Sequence, residues 1–213
     1  MPDQASFESL EGLRGTGKST LAPMLASARG AVLVPTVPPI FQELRHEVDR
    51  QRNVEARMSF YLAALFTAAE QIQRYLSVGT PVVVESYFPR CLANHRAFGA
   101  GLNVILPSGL PQPVTYHLVC AEGERQRRLS GRDKPVSSWD ALAEVAASRI
   151  SAAYRSFPMH RVNTTGLKPD EVLQKLLATT PHGEQPSADD EHVAVHPHVL
   201  SAVPRRVEGA CGT

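Results

Sequence analysis

The chain has 213 residues, of which 43% are hydrophobic and 20% charged, and its formal net charge is +1. That length suits one domain with a sizeable core, or one domain and a tail, and the near-neutral charge argues against duplex nucleic acid or an anionic membrane surface as partner. Three scattered cysteines, Cys91, Cys120 and Cys211, have neither zinc-site spacing nor the even number of a disulfide framework, which fits a reducing compartment. No charged start leads into an apolar run, and no apolar stretch nears the ~20 residues of a membrane helix. A soluble, cytoplasmic protein is expected.

In chain order, the first predicted strand, residues 6–10, runs into a loop in which Gly12, four further residues, Gly17, Lys18 and Ser19 satisfy the phosphate-loop pattern. The spacing matters because the backbone must curl until successive N–H groups face phosphate oxygens, which glycines permit and side chains block. Gly12, Gly15, Thr16, Gly17, Lys18, Ser19 and Thr20 are therefore expected to hold the phosphates of ATP. Lys18 would reach the β and γ phosphates, Ser19 would bind Mg²⁺, and the predicted helix 18–28 would offer its positive end. Apolar runs at 31–35, 81–85, 114–120 and 159–163 predict four more strands. Helical patterns lie between them at 40–50, 54–76, 90–98, 122–129 and 138–154, and a last helix starts at Pro169 with Asp170 and Glu171 in its first turn. The alternation predicts an α/β fold, a five-stranded parallel sheet flanked by helices. Residues 1–180 are expected to form the domain. From 181 the composition turns to Pro, His, Asp, Glu and Gly, predicting a flexible tail, residues 181–213.

Two further features carry chemistry. Glu85 ends an apolar strand, where the carboxyl ends of parallel strands form a crevice; there it could hold Mg²⁺ through water or accept a proton from the acceptor. Arg125, Arg128 and Arg132 fall at i, i+3 and i+7, one helix face, able to bring positive charge over a triphosphate, and Arg128 and Arg132 are candidate catalytic cations.

"FESLEGLRGTGKSTLA" resembles the opening of thymidylate kinases and the related deoxynucleoside kinases. The likeness continues in "LAALFTAAEQIQRYLSVGTPVVVESYFPRCLAN", in "CAEGERQRRLSGRDKPVSSWD", similar to the lid region, and in "HRVNTTGLKPDEVLQKLL". It implies a P-loop kinase fold with a lid segment, ATP and Mg²⁺ as cofactors, and a homodimer. It also implies that Phe66 stacks on the acceptor base, that Arg45 lies near the acceptor, and that Arg128 and Arg132 are lid arginines. The departures fall on the acceptor side. Glu85 is followed by Ser86 where the family places Asp and Arg; Glu70 and Gln71 replace a second such pair; Thr36 stands where deoxynucleoside kinases carry a base; and Arg14 occupies the place of the loop acid. Arg90 is expected to replace the missing arginine, Gln71 to read a base edge, and Asn94 and His95 to bond a sugar or base. Arg14 either aims at the γ phosphate as a built-in cation or turns outward. The expected activity is transfer of the γ-phosphoryl group of ATP to a nucleoside or nucleoside monophosphate, including a modified nucleoside of a specialised pathway. The alternatives are a kinase of another hydroxylated metabolite and a non-catalytic nucleotide sensor.

Overall fold

The computed structural model describes residues 5–133 and 135–179; the expected tail lies outside them. Five strands, β1 (Phe7–Glu11), β2 (Val32–Val34), β3 (Val82–Val84), β4 (Val114–Val119) and β5 (His160–Asn163), form one sheet in the order β2-β3-β1-β4-β5. All four pairings are parallel. β1 is central, and in this order the crossover after β1 leads to β2 on one side while the crossover after β3 leads to β4 on the other. Adjacent strands whose connections leave in opposite directions make the switch point at which open α/β sheets form a binding crevice.

Eight α-helices are described: α1 (Lys18–Arg29), α2 (Gln42–Val48), α3 (Val54–Ser77), α4 (Phe88–Ala97), α5 (Glu122–Ser130), α6 (Ser138–Val145), α7 (Ala147–Tyr154) and α8 (Pro169–Ala178). Alternation along the strands divides them between two faces. On one, Leu10, Val83, Tyr116, Leu118 and Val162 pack with Leu21 and Leu25 of α1 and with Val172 and Leu176 of α8. On the other, Phe7, Val82 and Val84 pack with Met58, Leu62, Leu65 and Ile72 of α3 and with Leu92 of α4. A third cluster joins Ala93 and Ala97 of α4 to Ile150 and Tyr154 of α7. Glu8, fully buried, is satisfied by Arg29 Nε at 3.0 Å and the Tyr116 hydroxyl at 2.8 Å, as a buried charge requires.

Local chemistry sets the ends. The Ala56 N–H donates to Asn53 Oδ1 at 2.8 Å, starting α3, and Gly30 closes α1 with φ +61°. Three sequence expectations are corrected. The helix at 40–50 opens as a 3₁₀ turn, Pro39–Phe41, that follows Pro38 and precedes α2. The helix expected from residue 90 starts at Phe88, because Pro89 fits a first turn where no N–H is needed. The pattern at 138–154 divides at Ala146, whose φ of −91° and ψ of 6° leave the helical region. That break lets α7 lie against α4 while α6 meets Arg14 of the loop after β1.

Candidate active site

The loop between β1 and α1 is built by exclusion. A Cβ on Gly12 (φ +135°) would stand 2.4 Å from the Leu118 carbonyl oxygen, and one on Gly15 (φ +84°) would meet Arg125 Cγ at 2.9 Å. Only glycine lets the loop sit this close to β4 and α5. Thr16 Oγ1 donates to Leu13 O at 2.9 Å, and Lys18 Nζ donates to Gly12 O at 2.7 Å and Leu13 O at 2.8 Å. Gly17 (φ +106°) precedes α1, whose first turn carries no side-chain cap and no acidic residue. Its N–H groups and positive end are thus available to an anion.

Around Lys18 stand Glu85, Arg90 and Glu11. Ser19 Oγ donates to Glu85 Oε1 at 2.8 Å, joining the hydroxyl and the carboxylate that the sequence assigned to Mg²⁺. Arg90, in the first turn of α4, donates to Ser86 Oγ at 3.4 Å. Among the described residues it has no carboxylate partner within ion-pair distance. Burial and the nearby Arg90 lower the Lys18 amine to about 7, opposed by Glu85 and Glu11. Glu11 was missed by sequence reasoning. Its carboxylate accepts the Tyr87 N–H at 2.6 Å and the Tyr154 hydroxyl at 3.4 Å, and burial raises it to about 8 against the pull of those bonds, Arg90 and Lys18. The available signal was an acid ending the strand immediately before Gly12.

The basic segment after β4 does not act as one face. Arg125 is 1% exposed; it donates to Arg14 O at 3.1 Å and pairs with Glu122 and Glu144, each at 2.7 Å. Arg128 is tied to Glu124 and donates to Thr164 O at 2.8 Å, on the loop after β5. Arg132 lies beyond the end of α5, exposed, and near enough to depress Lys18. The Arg14 guanidinium turns to α6, with Nε 3.0 Å from Asp140 Oδ1 and Nη1 3.5 Å from Glu144 Oε1.

Asp49, at the end of α2, ties α2 to α3. Its Oδ1 accepts Arg57 Nε at 2.9 Å and the Tyr61 hydroxyl at 3.0 Å, and Arg45 Nε approaches Oδ2 at 3.6 Å. Arg57, also missed, lies 4.6 Å from the Tyr61 ring centroid and 4.3 Å from that of Trp139 on α6, the geometry of cation–π contacts. His95, expected to bond a substrate, is 2% exposed and turned into this cluster. Its Nδ1 is 2.7 Å from Cys91 O and its Nε2 3.0 Å from Arg57 Nη1. A carbonyl only accepts and a guanidinium only donates, so Nδ1 carries the proton and Nε2 accepts. Asn94, half-buried one turn after Arg90, keeps its side-chain amide without a hydrogen bond among the described residues. Phe66 packs on Phe88 with ring centroids 5.2 Å apart. Gln71 lines a shallow surface depression of α3 with Thr67, Glu70 and Arg74.

Burial, with Arg57 beside it, lowers His95 to about 4. The unfolded imidazole takes its proton near 6.5, so between these values the unfolded chain binds more protons. Stability should fall as pH drops from 6.5 to 4, by at most about 1.4 kcal/mol per pH unit from this group. Thermal melts across that range should be flatter for His95→Gln than for the natural protein.

This sheet order, with a glycine loop on the central strand and a lysine in it, defines a P-loop-kinase-like fold. No family model matches the chain, and no curated protein matches it. Among solved structures, it is similar to a thymidylate kinase from Candida albicans, with 19% identity, a TM-score of 0.66, and coverage of 82% of this chain and 90% of that one. It is also similar to a protein described as a sugar kinase from Janibacter, with 17% identity, a TM-score of 0.55, and coverage of 82% and 93%. At these identities the likeness is one of fold. Among the described residues no helix is long and apolar enough to cross a membrane.

Proposed function

We propose that the chain is a kinase that transfers the γ-phosphoryl group of ATP·Mg²⁺ to a nucleoside or nucleoside monophosphate, with the monophosphate favoured. The observation carrying this reading is the convergence of Lys18, the Ser19–Glu85 pair and Arg90 at the carboxyl end of the central strands. The donor residues suit the group they would hold. The glycine cradle leaves no room for a side chain, α1 keeps its N-terminal N–H groups free of side-chain caps, and a hydroxyl beside a carboxylate is a hard oxygen set suited to Mg²⁺. Among the described residues no cluster of three or more His, Cys, Asp or Glu could hold a metal, so the phosphates would complete the shell of Ser19 and Glu85. Bound Mg²⁺ would offset charge between the β and γ phosphates.

In transfer, the bond from γ phosphorus to the bridging oxygen breaks as an acceptor oxygen bonds to phosphorus, and ADP leaves. The chain's task is alignment and positive charge. Arg90, without a carboxylate partner among the described residues, and Asn94 one turn later form a polar ridge for the acceptor, and Arg45 adds charge from α2. An ionised phosphate acceptor needs no base, whereas a hydroxyl must lose a proton; Glu85 is already bonded to Ser19 and Glu11 is buried. ADP release should therefore rise with nucleoside monophosphates, less with nucleosides, and not with free sugars. Stimulation by sugars alone would favour the kinase of another hydroxylated metabolite. Tight ATP binding with no transfer to any acceptor would favour a sensor.

A further inference from the structure

Arg14 is an arginine at a loop position flanked by phosphate-binding glycines, and its guanidinium is not left to solvent. Two acids of α6, Asp140 and Glu144, stand at i and i+4 and so share one helix face. Arg14 Nε meets Asp140 Oδ1 at 3.0 Å, Nη1 reaches the Asp140 carbonyl at 3.4 Å, and Glu144 Oε1 lies 3.5 Å from Nη1. Both acids are fixed in turn. Asp140 belongs to the capping box that starts α6, its Oδ2 accepting the Ser137 N–H at 3.3 Å. Glu144 Oε2 takes Arg125 Nη2 at 2.7 Å, and the same buried Arg125 donates to the Arg14 carbonyl at 3.1 Å. The loop backbone, α5 and α6 are thereby tied into one unit, and the Arg14 side chain is 19% exposed. Its Nη2 makes no hydrogen bond among the described residues.

We propose that Asp140 and Glu144 are positioning residues that grip the Nε and Nη1 edge of Arg14 and so present its Nη2 to the γ-phosphoryl group of a nucleotide on the loop. This rests on the kinase reading above. Held by two carboxylates, the guanidinium needs little reorganisation as charge develops on the transferred group, and that preorganisation is what makes such a cation effective. Remote acids on α6 thus take over the aiming of a loop cation.

The test needs no acceptor. Binding of Mg·ADP to the full chain is measured by calorimetry with and without fluoroaluminate, a planar mimic of the phosphoryl group in flight. Fluoroaluminate should tighten Mg·ADP binding about tenfold or more in the natural protein. Arg14→Ala should abolish that gain, Asp140→Asn should reduce it about threefold or more, and D140N/E144Q should match Arg14→Ala. Mg·ADP affinity alone should stay within about twofold in every variant, because the α and β phosphates are held by the loop backbone. Because Glu144→Gln also weakens the buried Arg125 pair, Asp140→Asn, whose amide oxygen can still accept the Ser137 N–H of the capping box, is the milder variant, and melts accompany each variant. Retention of the gain in Asp140→Asn, its presence in Arg14→Ala, or its absence from the natural protein each overturns the proposal. A larger gain in Asp140→Asn also does so, since the acids would then sequester Arg14. Failure of Mg·ADP to bind at all would count against the kinase reading itself.

Discussion

Lys18→Ala is expected to reduce turnover by on the order of 10³-fold, about 4 kcal/mol of barrier, while the fold persists. Lys18 is 5% exposed, and the hydrogen bonds of its amine run to the carbonyls of Gly12 and Leu13 within its own loop. Burial and Arg90 already make its charge costly, as its lowered titration near 7 records. Removing it therefore relieves one desolvated charge while forfeiting two short-range bonds, and the net change in stability should be small. A nucleotide bound on the loop would reverse the balance, because phosphate charge beside Nζ would restore the ammonium form and give it a partner. ADP release under saturating ATP·Mg²⁺ measures the loss, and circular dichroism melts report the fold. Undiminished turnover in the variant would remove Lys18 from the reaction.

Gly12→Ala should have the largest effect on stability. The obstacle is the Leu118 carbonyl of β4, 2.4 Å from where the new methyl must go. That oxygen belongs to the centre of the sheet and cannot swing aside as a flexible side chain would. At φ +135° the alanine is strained besides, so the combined cost is roughly 3 kcal/mol or more. For a domain of this size that lowers the melting temperature by roughly 6–12 °C. Nucleotide binding should fail as well, since any relief of the clash pushes the loop off β4. Gly123→Ala provides the control. It lies in α5 with nothing within 4 Å of its new methyl, and it should gain roughly 0.5 kcal/mol. A Gly12→Ala protein melting within about 2 °C of the natural one would show that β4 yields where the packing says it does not.

The loop was legible because its chemistry is local: Gly12, Gly17, Lys18 and Ser19 act through their spacing alone. The start of α8, marked by Pro169 with Asp170 and Glu171, and strands marked by apolar runs were legible for the same reason. What escaped depends on contacts between distant parts of the chain. Arg14 and Asp140 are 126 residues apart, and no periodicity announces their pairing. Arg125 shows why a helical face is an incomplete guide: spacing placed it beside Arg128, while the close approach of Gly15 placed it beneath the loop, where two glutamates neutralise it. His95 was read as a substrate contact because it follows Asn94 on a helix near Glu85. The crossing of α3 over α4 sets Arg57 against its ring instead. Arg57 and Glu11 went unread because an arginine early in a long helix and an acid at a strand end are ordinary until packing shows what surrounds them.

Trp139 is the chain's one tryptophan, and it sits 8% exposed on α6, 4.3 Å from the Arg57 guanidinium and with its ring centroid 5.5 Å from that of Phe98. An indole's emission depends on the polarity and charge around it, so this ring is a native optical gauge of how α6 is seated, with no label to attach and no second tryptophan to subtract. A nucleotide acting through Arg14 as proposed would reach it from the side of the glycine loop, and an acceptor that disturbed Arg57 would reach it from the other. Titrating each alone and then in both orders would resolve the sequence of substrate entry from a single emission band.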